Sequence, residues 1–131
     1  MRILQPAEWA RPKGYANGIE ARGRTIFVAG QIGWDKDQRF QAKDFAGQFE
    51  QTLRNILAVL READAGPGHV VRMTWFITDK KAYLAGIREV GEIYRRLMGR
   101  NFPTMSVVQV AALIEDEAMV EIEATAVVPD P

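Results

Sequence analysis

The amino-acid sequence predicts an α+β domain, a mixed β-sheet carrying two helices on one face in the order β-β-α-β-α-β-β. Three observations carry that expectation. Two stretches repeat apolar residues at steps of three and four, the signature of amphipathic helices. Strand-like runs stand before, between and after them. The resulting strand–helix–strand connections imply parallel neighbours joined by right-handed crossovers. No linker, repeat or low-complexity segment divides the 131 residues, so residues 1–131 read as a single domain.

The opening segment through Gly14 reads as a surface arm punctuated by Pro6 and Pro12. A hairpin is expected next, from Ile19–Arg22 and Thr25–Ala29, with Gly23 as its turn residue. Gly30 to Asp35 then leaves the sheet as a loop. The first helix places Phe45, Phe49, Leu53, Ile56, Leu57 and Leu60 on one stripe, with Asp44 as its cap and Ala65-Gly66-Pro67-Gly68 as its end. Val70–Ile77 is the central strand. Asp79 caps a second helix, whose Tyr83, Ile87, Val90, Tyr94 and Leu97 line one face before Gly99 stops it. Ser106–Val110 and Met119–Val128 are expected to close the chain as an antiparallel pair around Glu115-Asp116-Glu117.

Composition narrows the function classes. The chain is 47% hydrophobic and 26% charged, with a formal net charge of zero, so no basic surface attracts nucleic acid or an anionic membrane. Cysteine is absent and His69 is the only histidine, which excludes thiol nucleophiles and disulfides and leaves a zinc site without ligands. No phosphate-cradling loop or dinucleotide fingerprint occurs, and no cofactor or metal is expected. The start lacks the apolar run of a signal peptide and no stretch approaches transmembrane length, so a cytoplasmic protein is expected.

In Val70–Ile77, one row holds Val71, Met73, Trp75 and Ile77, while Val70 and Phe76 make the other row partly apolar. Such a strand wants cover on both faces. Two helices cover one, so a second copy of the chain is expected on the other. In Val120–Val127, Glu121 and Glu123 point to that same uncovered face, opposite Val120, Ile122, Ala124 and Ala126. A carboxylate partly dried by an interface suits general acid–base chemistry near neutral pH. The alternative is a pair of polar residues on a wetted face, paired with an arginine.

Other candidates carry two readings each. Tyr15 sits between Gly14 and Gly18 in a tightly turned arm, where its phenol either covers a ligand or anchors the loop. Trp34 is either a pocket wall or a packing residue. Arg88 lies off the second helix's apolar stripe, as a solvated cation or as one aimed at a ligand's negative group. His69 follows a Pro-Gly turn and reads as a surface or capping residue. Glu115–Glu117 reads as a solvated turn.

The segments Gly14-Tyr15-Ala16, Ile26-Phe27-Val28-Ala29-Gly30-Gln31-Ile32, Phe102-Pro103-Thr104-Met105-Ser106 and Val120-Glu121-Ile122-Glu123-Ala124, in this order and spacing, resemble the RidA family. These small proteins, also called YjgF, hydrolyse reactive imines and enamines. The resemblance runs through nearly the whole chain. It implies a chorismate-mutase-like fold and a homotrimer with clefts between subunits. It further implies that Glu121 holds the water attacking an imine carbon and that Tyr15 lines the cleft. Backbone groups near Gly30, Gln31 and Val107 would orient ligand and water.

Family members of the deaminase type carry an arginine for the substrate carboxylate where this chain has Met105. Losing two charge-assisted hydrogen bonds removes about 3–6 kcal/mol, a hundredfold or far more in efficiency. Methionine offers instead a flexible apolar wall, which suits a ligand other than a simple 2-imino acid. Arg88 is the expected replacement cation. The resulting expectation is a deaminase-like hydrolase, with a non-catalytic small-molecule-binding protein using the same cleft as the alternative. A nuclease is disfavoured by the neutral charge and the lone histidine.

Overall fold

In the computed structural model, which describes residues 1–131, the chain opens with β1 (Arg2–Leu4), β2 (Gly18–Glu20) and β3 (Arg24–Ile32). Helix α1 (Phe45–Arg61) and a 3₁₀ turn at Pro67–His69 lead into β4 (Val70–Ile77). Helices α2 (Lys80–Ala85) and α3 (Ile87–Met98) precede β5 (Thr104–Gln109) and β6 (Val120–Val128). The fold is α+β as predicted. Its principal sheet has the order β3-β6-β4-β5, with β5 parallel to β4 and β6 antiparallel to both of its neighbours.

Strand β6 takes the centre because its inner row can be buried against α1 while both of its edges pair. Val120, Ile122, Ala124 and Ala126 are buried there with Met73, Trp75 and Ile77 of β4. Phe49, Leu53, Ile56 and Leu60 of α1 seal that side and are fully buried. Each such burial contributes about 1.5–3 kcal/mol before entropy is counted.

Pairing differs from expectation in three places. The predicted hairpin does not form: β2 pairs with β1, in a small separate sheet clasped by an Arg2–Glu20 ion pair at 2.9 Å. Part of the expected surface arm is thus a strand. Gly23 still turns the chain, at φ +148°, and any Cβ there would meet the Val128 carbonyl carbon at 2.7 Å. The predicted antiparallel pair of the last two strands is also absent, because β4 lies between them. Finally, β3 does not end at Ala29 but continues through Ile32 past a bulge between Val28 and Gln31. Alternation alone cannot choose a strand's partner, and these are all errors of partner or phase.

A second bulge, between Val70 and Arg72, resets β4: Val70 rather than Val71 joins Met73, Trp75 and Ile77 in the core. Asp79 caps as predicted, accepting from the Lys81 and Ala82 amides at 3.0 and 3.1 Å. The predicted second helix is broken at Gly86 into α2 and α3, glycine being the weakest helical position available. The break shifts the helical phase, so Ile87 is exposed while Ile93 and Met98 join Val90 and Tyr94 inside. Asp44 stands at the N-cap of α1, but its side chain makes no capping bond.

Two polar devices fix the elements that carry the site. Gln48, only 2% exposed, donates to the carbonyls of Ala42 at 3.3 Å and Glu117 at 2.9 Å. Its oxygen accepts from the Met119 amide at 2.8 Å, which tethers the start of β6 to α1. Two turns on, Asn55 donates to the carbonyls of Ile32 at 2.9 Å and Trp34 at 2.7 Å, holding the end of β3.

Candidate functional site

Tyr15 reaches Met105 because the arm docks beside β5. The Ala16 amide donates to the Pro103 carbonyl at 3.0 Å, and Ala16 makes a parallel bridge with Thr104. Gly14, at φ +81°, supplies the left-handed turn that the arm needs. The Pro103 side of this contact is itself pinned. Asn101 donates to the carbonyls of Pro67 at 2.7 Å and Val70 at 3.1 Å, and its own carbonyl accepts from the Tyr94 hydroxyl at 2.8 Å. Thr104 donates to the Val71 carbonyl at 2.7 Å. Burial pushes the Tyr94 phenol well above its ordinary pKa, so it remains a neutral donor.

Tyr15 and Met105 border one hollow of about 720 Å³, together with Arg72, Ser106 and Thr125. Met105 is the register partner of Met73, so its side chain packs on the helix side of the sheet. There it also borders a narrower hollow of about 190 Å³ walled by Trp75, Tyr83 and Ile87. Val107, the partner of Trp75, packs on the same side.

Glu121 belongs to a second group. It is the register partner of Phe76 on β4 and stands half-buried on the side away from the helices. The β3 bulge lays Gly30 directly over it: a Cβ on Gly30 would touch a Glu121 carboxylate oxygen and would stand 2.9 Å from its Cδ and 3.0 Å from its Cγ. Gly30 is therefore required by space and not by dihedral angle. Gln31 follows, its amide donating to the Ala29 carbonyl at 3.1 Å. Glu123 lies further along the same face and is exposed.

Within one chain, then, Tyr15 and Met105 border one hollow, and Glu121 meets Gly30. Met105 and Glu121 lie on opposite faces of the sheet, with β4 between their strands, roughly 10 Å across two strand spacings. Arg88 is exposed in the first turn of α3 and joins neither group. Trp34 packs against Phe40 at a centroid distance of 6.0 Å and also walls a shallow hollow beside Gln31 and Asn55. His69 accepts from the Gly66 amide at 3.0 Å through Nδ1, a capping role. Glu117 pairs with Lys43 at 3.2 Å in a solvated turn.

Sequence reasoning passed over Arg72. Its signal was available: it is the sole charged residue in the run Val70–Ile77.

Comparison with known proteins adds the following. The sequence profile of the family described as Endoribonuclease L-PSP matches residues 7–128. The chain is 35% identical over 126 residues to the RutC family protein UK114 of Drosophila melanogaster, an alignment covering 95% of this chain and 88% of that one. A Homo sapiens protein named 2-iminobutanoate/2-iminopropanoate deaminase is 33% identical over 105 residues, 79% of this chain and 73% of that one. Among solved structures, a protein of unknown function from the conserved Rid family of Yersinia pestis superposes with a TM-score of 0.86 at 30% identity. That superposition covers 97% of this chain and 98% of the other.

Proposed function

The chain belongs to the Endoribonuclease L-PSP family, the RidA/YjgF proteins, and on that premise we propose that it hydrolyses a small imine or enamine in a cleft between copies of itself. The reaction is deaminase-like. Water adds to the carbon of a C=N bond, a C–O bond forms, the C–N bond breaks, and the products are a carbonyl compound and ammonia. Glu121 takes the proton from the attacking water and returns it to the departing nitrogen. Tyr15 closes over the ligand, and Met105 shapes the wall beside it. The backbone near Gly30, Gln31 and Val107 orients ligand and water.

The observation that carries this reading is the clearance at Gly30. A bulge and a missing side chain leave room for the Glu121 carboxylate against the backbone of β3. Relatives named as 2-iminobutanoate/2-iminopropanoate deaminases support the reaction class. Because Glu121 does not line the hollow that Tyr15 borders within one chain, the reading requires neighbouring copies to join them, and a homotrimer is the assembly proposed. Phe27, 78% exposed on the uncovered face, supports burial by a second copy. Arg88, exposed in the first turn of α3, would serve as the replacement cation across the cleft between copies.

Ammonia release from a panel of imines, including 2-iminobutanoate and uncharged analogues, tests the proposal. Glu121→Gln should lower release about a hundredfold without altering the fold. No release from any imine at high protein concentration would sink the reading. Met105, which brings no charge, favours a second reading, a protein that binds without turnover. Ligand binding unchanged by Glu121→Gln, with no product, would decide for it.

A further inference from the structure

We infer that the narrow hollow between α3 and the sheet is a specificity subsite, which takes an uncharged ring carrying one acceptor oxygen and holds it by the Trp75 indole N–H. Trp75 is only 3% exposed and forms one wall of this hollow, whose volume is about 190 Å³. Its Nε1 is the chain's one buried side-chain polar atom without a hydrogen-bond partner. Buried donors are nearly always paired, because leaving one unpaired is costly. The rings around the indole are Phe49, Tyr83 and Tyr94, at centroid distances of 4.8, 6.4 and 6.2 Å. None places an oxygen within bonding distance of Nε1. The Tyr94 hydroxyl is already committed as a donor to the Asn101 carbonyl at 2.8 Å.

Gly91 keeps the hollow open. It stands inside α3, where glycine is the least favourable residue other than proline. Packing does not demand it there: a Cβ would meet only Arg95 Nη1, at 3.4 Å, the end of a flexible side chain. What the glycine leaves is space along the wall shared with Trp75. An apolar cavity of about 150 Å³ holds benzene, so this one has room for a six-membered ring and a short substituent. Tyr83, Tyr94 and Phe102 supply aromatic walls for edge or face contact with such a ring. Lys13 and Arg95 reach the hollow from exposed positions, where water screens their charge, so its dry end selects on shape and on the indole donor. Met105 borders both this hollow and the larger one beside Tyr15. The inference rests on the hydrolytic reading for its place in the ligand: the reacting C=N bond lies in the cleft, and the ring extends past Met105 to the helix side of the sheet. That side is not the face proposed to be covered by a second copy.

The test is a titration of the full chain with acetophenone and with ethylbenzene, read by proton–nitrogen NMR of the three tryptophan indoles. The Trp75 N–H signal, assigned by its loss in Trp75→Phe, should move downfield with acetophenone while those of Trp9 and Trp34 stay in place. Acetophenone should bind about threefold to tenfold more tightly than ethylbenzene, and Trp75→Phe should erase that difference. Gly91→Leu should lose binding of both compounds while keeping or raising Tm, since leucine favours the helix. A Trp75 signal indifferent to acetophenone overturns the inference, because the N–H would then rest on the Tyr83 ring. So does a Gly91→Leu variant that still binds, or a Trp75→Phe variant that keeps the preference. The two readings fail separately. A chain that binds acetophenone but releases no ammonia from any imine sinks hydrolysis alone, and ammonia release without acetophenone binding sinks this subsite alone.

Discussion

Gly30 and Met105 are the two residues whose identity says most about this chain's chemistry. Replacing Gly30 with alanine sets a methyl group where the Glu121 carboxylate lies. That carboxylate is the end of a flexible side chain and can swing aside, so folding should be little affected. Turnover depends on position, and a displacement of about 1 Å is worth about a hundredfold. Gly30→Ala is therefore expected to keep the wild-type Tm within about 2 °C while lowering ammonia release by about that factor. A matching collapse of Tm would show that Gly30 serves the fold instead. Met105→Arg puts a guanidinium beside Tyr15. Release of ammonia from 2-iminobutanoate should rise about a hundredfold, in line with two added charged bonds. No change in that rate would place the ligand elsewhere.

Among the elements, α1 does the positioning, and it does so with polar groups inside an apolar stripe. Gln48 satisfies its whole amide, on the Ala42 carbonyl ahead of α1 and on the segment that starts β6. Gln48→Leu would leave the Met119 amide and the Glu117 carbonyl unpaired and should destabilise the chain by about 2–3 kcal/mol in urea unfolding. On the outer side of the same helix, Glu50 joins α1 to α3 through Arg96 at 2.9 Å and closes a helical pair with Arg54 at 2.9 Å. Hydrogen bonds from Arg96, then Arg54, hold the Glu50 carboxyl below its ordinary value of 4.5. A depressed folded-state pKa contributes stability above that ordinary value, and the contribution is lost as pH falls through it toward the lower folded one. Tm measured below pH 4.5 should thus decline less steeply in Glu50→Gln than in wild type. Parallel slopes would show that the pair is too well solvated to matter.

The whole molecule is asymmetric: helices cover one face of the sheet and leave the other with Phe27, Phe76 and Val108 among Arg72, Glu121 and Glu123. A homotrimer that buries this face accounts for the apolar residues and for the separation of the two halves of the site. Sedimentation velocity should give a particle of three chains, and Phe27→Asp should shift it toward one chain with secondary structure retained. A wild type that sediments as a single chain would remove the proposed cleft. No helix is long and apolar enough to cross a membrane.

Periodicity made α1, β4 and the inner face of β6 legible, since each repeats apolar residues at the spacing its own backbone requires. The Glu121-bearing strand was legible for the same reason, and so was the Asp79 cap. Strand partners were not, because an alternating strand pairs equally well with several others. The central place of β6, the pairing of β2 with β1 and the parting of β5 from β6 depend on which rows bury the most area together. The cross-strand neighbours of Arg72, Thr104 and Thr125, could not be read either, because they are far from it along the chain. The residues proposed to carry chemistry could thus be named from order and spacing, which are local. Which of them share a hollow depended on register and bulges, which arise only when strands meet.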